Sequence, residues 1–249
     1  MKISEFSVRV LSPTFLTSGI CNVIANSWHG IVPSEYSRRF RIVRPYTMMS
    51  NARLRALHDA TARVIAAGVP GVLVECGTAK GGSAAMMALV VHECRSDKRI
   101  WVFDCFEGMP PPTENDPDRD LAANYVGDCL GTFEEVSALF AELGVSDRMR
   151  MVKGLFQETL PPSSTGDIAL LHIDGDWYDS VMSCLTSLYD RVPPGGIIQL
   201  DDYGYWQGAR KAVNDFFKLR GEPVPALKRI DHSGRQFTKA PRSLQQTPG

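Results

Sequence analysis

From residue 72 onward, short apolar runs alternate with stretches of helical spacing. Val72-Leu-Val-Glu75, Ile100-Trp-Val-Phe103, Arg150-Met-Val-Lys153, Ile168-Ala-Leu-Leu-His-Ile173 and Gly196-Ile-Ile-Gln-Leu200 predict five strands. Between them the 3.6-residue period predicts helices over about 82–93, 132–143, Val181 to Tyr189 and 208–219. Upstream, Leu54, Leu57, Ala60, Val64 and Ile65 predict a helix over roughly 51–67, capped by Ser50 and ended by Gly68-Val-Pro-Gly71. Strands apolar almost throughout are those of a parallel sheet with helices on both faces. The tail differs. Ala226-Leu-Lys-Arg-Ile230 and Arg235-Gln-Phe-Thr-Lys239 flank Asp231-His-Ser-Gly234, a hairpin turn. The pattern therefore predicts an α/β fold: a Rossmann-like, doubly wound sheet, mostly parallel, closing in an antiparallel C-terminal hairpin. Residues 1–45 show little periodicity and carry Arg38, Arg39, Arg41 and Arg44, so they read as an N-terminal arm or lid for substrate or dimer contacts. Residues 46–249 read as the main domain.

Composition narrows the partners. The chain has 249 residues, with 27 Lys plus Arg against 28 Asp plus Glu and a formal charge of -1. Charge this balanced argues against a surface built for nucleic acid or acidic lipid. No apolar run is long enough for a membrane span, and no signal peptide is recognisable, so a cytoplasmic location is expected. Six scattered cysteines (Cys21, Cys76, Cys94, Cys105, Cys129, Cys184) form no C-x-x-C and read as reduced thiols.

In an open doubly wound sheet, ligands bind beyond the carboxyl ends of the strands. Those ends are Glu75, Asp104, Asp174 and Asp201-Asp202, all acidic. So many carboxylates at one edge need cations to pair with. The turn Glu75-Cys-Gly-Thr-Ala-Lys-Gly-Gly-Ser83 is neither G-x-G-x-x-G nor G-x-x-x-x-G-K-[ST], so the usual phosphate-binding signatures are absent. S-adenosylmethionine offers an ammonium, a sulfonium and a ribose diol, which suit acidic groups. Asp104, at the end of the second strand, is placed to accept from both ribose hydroxyls. Asp174, Asp201 and Asp202 lie on adjacent strands, and three hard oxygen donors suit Mg²⁺ better than zinc.

These segments resemble the macrocin O-methyltransferase family, which methylates sugar hydroxyls of natural products. The resemblance rests on Pro45-Tyr-Thr-Met48, Gly71-Val-Leu-Val-Glu-Cys-Gly77 with Gly81-Gly-Ser83, and Phe103-Asp-Cys-Phe-Glu-Gly-Met-Pro110. It continues through Leu171-His-Ile-Asp-Gly-Asp-Trp-Tyr178 and Pro194-Gly-Gly-Ile-Ile-Gln-Leu-Asp-Asp-Tyr-Gly204, covering about residues 45 to 220. It implies a class I methyltransferase fold, S-adenosylmethionine as donor and Mg²⁺. It further implies that Glu75, Gly77 and Ser83 line the methionine end of the cofactor, that Asp104 holds its ribose, and that Phe156 and Gln157 flank its adenine. Asp174, Asp201 and Asp202 match the metal ligands, and Asp174, where metal and cofactor meet, is the expected proton acceptor. The implied acceptor is a sugar or glycoside hydroxyl, free or nucleotide-linked, in antibiotic biosynthesis, with a homo-oligomer expected. Catechol O-methyltransferases look similar in the acidic triad, but their lysine base corresponds to Trp177.

Two other functions are compatible with the same residues: O-methylation of a non-sugar small molecule, and a haloacid dehalogenase-type phosphohydrolase using Ile173-Asp-Gly-Asp176. Asp176 and Asp179 read as helix-capping groups, His172 as a hydrogen-bonded core residue. Arg38, Arg39 and Arg41 read as a solvated basic face. Tyr46, Met48, Tyr178, Tyr203 and Trp206 are candidates for a wall against a sugar face.

Overall fold

A computed structural model describes residues 35–241. The expected strands form within a residue of their predicted bounds: β1 Val72–Cys76, β2 Ile100–Asp104, β3 Met149–Lys153, β4 Ile168–Ile173 and β5 Ile197–Leu200. The hairpin is β6 Lys228–Arg229 with β7 Arg235–Thr238. Sheet order is β3-β2-β1-β4-β5-β7-β6, and β5 pairs with β7 antiparallel while the first five strands are parallel. The order reverses between β1 and β4, and a crevice opens there.

One face is covered by α1 Glu35–Val43, α2 Asn51–Ala66, α3 Gly82–Glu93 and α5 Phe133–Glu142. The other carries α7 Tyr178–Leu188 and α8 Gln207–Leu219. Two one-turn helices, α4 Arg119–Ala122 and α6 Phe156–Thr159, lie in the loops after β2 and β3. Ser50 caps α2 by accepting from the Arg53 amide, and Thr132 with Glu135 makes a capping box on α5. Residues 35–45 are no detached arm: Tyr36, Phe40 and Val43 of α1 are buried in the first core. Arg39, expected on a solvated face, is 4% exposed and pairs with Glu93 of α3. Its neighbour Arg38 pairs with Glu93 as well. The remainder of the expected arm, with Cys21, lies outside the described residues. The five described cysteines are free thiols.

Helix α7 begins three residues before its predicted start. Its first amide, that of Tyr178, is capped by Asp116 Oδ1 at 2.7 Å, from the loop after β2. Asp118 of that loop accepts from the Gln207 amide at the start of α8. Asp176, predicted to cap α7, makes no cap; Trp177 holds the cap position and Asp176 sits in the left-handed region at φ +54°.

Candidate active site

Sheet register places the acidic side chains. Cys76, Ile173 and Leu200 are neighbours across β1, β4 and β5. Ladder bonds run one residue further, from Asp174 N–H to Cys76 O and from Asp201 N–H to Ile173 O, both 2.9 Å. Asp174, Asp201 and the following Asp202 therefore emerge at one edge. Gly77 is required beside them, since it has φ +88° and a Cβ there would lie 1.8 Å from the Asp174 carbonyl oxygen.

These strand ends open into a cavity of about 420 Å³. Of the expected site residues, Gly77, Ser83, Asp104, Phe156, Gln157, Asp174, Asp201 and Asp202 all line it. Glu75 does not: it is fully buried behind the wall, where its Oε1 meets His172 Nδ1 at 2.9 Å, as its cross-strand register dictates. Of the expected aromatic and apolar wall, Met48 alone lines the cavity. Asp104 uses both oxygens on the turns around it. Oδ2 accepts from the Thr78 and Ala79 amides at 2.7 and 3.2 Å, and Oδ1 from the Phe106 amide at 2.7 Å. Burial still raises its proton affinity, against the pull of those amides.

The three carboxylates expected to share a cation divide between two overlapping sets, with Asp174 in both, Asp201 in one and Asp202 in the other. Donor atoms of Asp174, Asp176 and Asp202 lie within 4.8 Å of one another, as do those of His172, Asp174 and Asp201. Asp176 is thus a site residue that its reading as a cap overlooked; its carboxylate accepts from Trp206 Nε1 at 3.0 Å and its amide donates to Asp202 Oδ2 at 3.1 Å. Desolvation, then the neighbouring carboxylates, push the Asp174 and Asp176 carboxyls well above the usual range and Asp202 to about 6. Ala79, Cys129 and Asp176, all in the wall, have positive φ without being glycine, a concentration of backbone strain typical of functional sites.

Arg53 was likewise overlooked, because nothing in a helical arginine marks it. It is the cation among the described lining residues, against six acids: Asp104, Asp174, Asp176, Asp179, Asp201 and Asp202. Its guanidinium grips Asp201 Oδ2, and its Nε lies 3.2 Å from Asp231 Oδ2. Asp201 Oδ1 is buried without a hydrogen-bond partner, 3.6 Å from His172 Nε2. His172 is fully buried between Glu75 and Asp201 and is pushed up to about 9: burial opposes its charge, but the two carboxylates prevail. It is the hydrogen-bonded core histidine expected. An acidic cavity of this kind fits a cofactor that carries a sulfonium and an ammonium.

A family model for the macrocin O-methyltransferases (TylF) matches residues 41–239. The chain belongs to that family. As a macrocin-type O-methyltransferase it is 36% identical over 208 residues to the 8-demethyl-8-(2,3-dimethoxy-alpha-L-rhamnosyl)-tetracenomycin-C 4'-O-methyltransferase of Streptomyces olivaceus, across 80% of this chain and 79% of that one. It is 33% identical over 195 residues to the demethyldecarbamoylnovobiocin O-methyltransferase of Streptomyces niveus, across 76% and 74%. The solved O-methyltransferase NovP superposes with a TM-score of 0.72 at 29% identity, over 79% of this chain and 83% of that one. The enzyme is therefore an S-adenosylmethionine-dependent O-methyltransferase with a class I methyltransferase fold. Membership of this family overturns the phosphohydrolase alternative.

Proposed function

We propose that this enzyme methylates a hydroxyl of a deoxysugar in antibiotic biosynthesis, with a divalent cation, Mg²⁺, held by Asp174, Asp201 and Asp202, and that Asp176 completes the set. The observation that carries the reading is the cluster of carboxylates beneath the cavity. Buried like charges at this separation are unfavourable unless a cation joins them. Asp201 Oδ1, buried and without a hydrogen bond, is a ready ligand atom. Oxygen donors throughout suit a hard divalent ion. The sugar acceptor is supported by a relative named for a rhamnosyl substrate.

A sugar hydroxyl does not ionise near neutral pH. The cation, when bound, supplies Lewis-acid chemistry that makes it more acidic. The remaining work falls to the chain. Asp104, at the end of β2, accepts from the ribose hydroxyls, while Gly77 and Ser83 adjoin the methionine end and Phe156 and Gln157 the adenine. Together these residues would hold the cofactor so that its methyl group is presented to the acceptor within one complex. Asp174 takes the hydroxyl proton on a carboxylate oxygen. Its place at the end of β4, on the cavity wall among the other carboxylates, puts it within reach of the acceptor hydroxyl.

The test is Asp174→Ala. Methyl transfer to a panel of glycosides should be lost while S-adenosylmethionine still binds in calorimetry. Full turnover in that variant, or by the parent enzyme in excess EDTA, removes the metal-assisted mechanism. Turnover of phenols alone moves the acceptor out of the sugar class.

A further inference from the structure

The acids lining the cavity include one, Asp201, that already has a cation of its own. We propose that Arg53 is a positioning residue that shares Asp201 with the divalent ion, and thereby keeps that ion loosely held and exchangeable. The inference rests on the cation reading given above and goes beyond it to the affinity of the site.

Arg53 is suspended between two carboxylates with different jobs. Asp231 is an anchor in the hairpin turn: it accepts from Ser50 Oγ at 2.5 Å, from the Ser233 amide at 2.9 Å and from the Gly234 amide at 2.7 Å. Its place is fixed without Arg53. Asp201, which clusters with Asp174, is the other partner, gripped at Oδ2 while its buried Oδ1 makes no hydrogen bond and lies 3.6 Å from His172 Nε2. The guanidinium therefore fixes the rotation of Asp201 and leaves one oxygen for a second cation. It also acts on the whole cluster. A guanidinium does not lose its proton in a protein, so the positive charge is permanent. A permanent positive charge beside three or four carboxylates subtracts from their attraction for any further cation, and little water intervenes to screen it. A lysine point charge retains the electrostatic part of this, whereas a neutral side chain removes it.

The experiment measures Mn²⁺ affinity directly on the whole enzyme, from the free-ion electron paramagnetic resonance signal, without reference to turnover. Arg53→Gln should tighten Mn²⁺ binding by at least about tenfold, and Arg53→Lys should stay within roughly threefold of the parent. Asp231→Asn frees Arg53 from its anchor and commits it to Asp201, so it should weaken Mn²⁺ binding severalfold. Opposite signs in Arg53→Gln and Asp231→Asn are what a merely structural arginine would not give, because loosening the turn would weaken the site in both. Unchanged or weaker binding in Arg53→Gln overturns the proposal. So does a shift of the same sign in the two variants. If Arg53→Gln does not fold, tighter or unchanged binding in Asp231→Asn overturns it alone. A parent enzyme that takes up no Mn²⁺ at millimolar concentration fails differently, removing the cation site itself.

Discussion

Gly77 and Asp174 meet backbone to backbone: a Cβ on the glycine would fall 1.8 Å from the aspartate's carbonyl oxygen. This close approach lets β1 and β4 deliver the glycine turn and the first cluster carboxylate to one point of the cavity wall. Gly77→Ala adds a steric overlap with main chain to an unfavourable positive φ, the latter alone costing about 1–2 kcal/mol. The expected outcome is a lower melting temperature and at least about tenfold weaker S-adenosylmethionine binding, in proportion to strain of that size. Thermal unfolding and calorimetry on the same sample check it.

Asp176 is the residue whose role the geometry changes most. Asp176→Asn preserves an acceptor for Trp206 Nε1 and the backbone turn, so the fold and cofactor affinity should hold. Removing one of three clustered carboxylates should lower methyl transfer by about 10²-fold or more, the scale of losing a group that acts on the reacting centre. Parent-like turnover with saturating acceptor and Mg²⁺ would return Asp176 to a structural role.

Asp116 ties the loop after β2 to the helix that follows the acidic strand end. Asp116→Ala strips the cap from the Tyr178 amide and releases the Thr113 amide, which Asp116 Oδ2 holds at 2.9 Å. The expected cost is about 1 kcal/mol, the usual worth of an N-cap. Local opening should follow, so trypsin should cut at Arg119 faster than in the parent while the core stays protected. Equal cleavage rates would show that the loop is held by something else.

The ion pair between α1 and α3 gives a pH-dependent stability. Burial alone would raise the Glu93 carboxyl, yet Arg39 and Arg38 outweigh it and hold its pKa below the ordinary 4.5. A depressed acid pKa stabilises the fold above the ordinary value, and that stability is lost as pH falls through the folded-state value. Glu93→Gln should therefore cost about 1 kcal/mol at pH 7, the upper end for an ion pair partly screened by solvent. The gap between the two melting temperatures should close as pH drops below the glutamate range. A gap that persists in acid would assign the loss to packing.

The strands were legible because each is a short apolar run closed by a turn residue, and helices on both faces leave no polar alternation to confuse the reading. Helices α2, α3 and α5 were legible for a similar reason, having local caps or a glycine start. What escaped was set by residues far apart in sequence. The start of α7 depends on Asp116, 62 residues upstream, and no local signal carries that. Arg53 reaches Asp201 across 148 residues, and its own helix says nothing of it. Glu75 looked like a cofactor ligand because it ends β1 in the right motif. Its side chain turns instead to His172, the neighbour that strand register supplies. In Asp-Gly-Asp the second aspartate read as a cap, whereas its own left-handed backbone, φ +54°, turns it into the cluster with Asp174 and Asp202.

The Asp231 turn has a consequence for how this enzyme is made. Ser50, Arg53 and Asp201 all fasten onto a loop between the last two strands, so the acidic pocket stays unfinished until that loop leaves the ribosome. Shortened products ending before the hairpin would lack the partner strand of β5 and the buried Phe237 as well, so they should be inert.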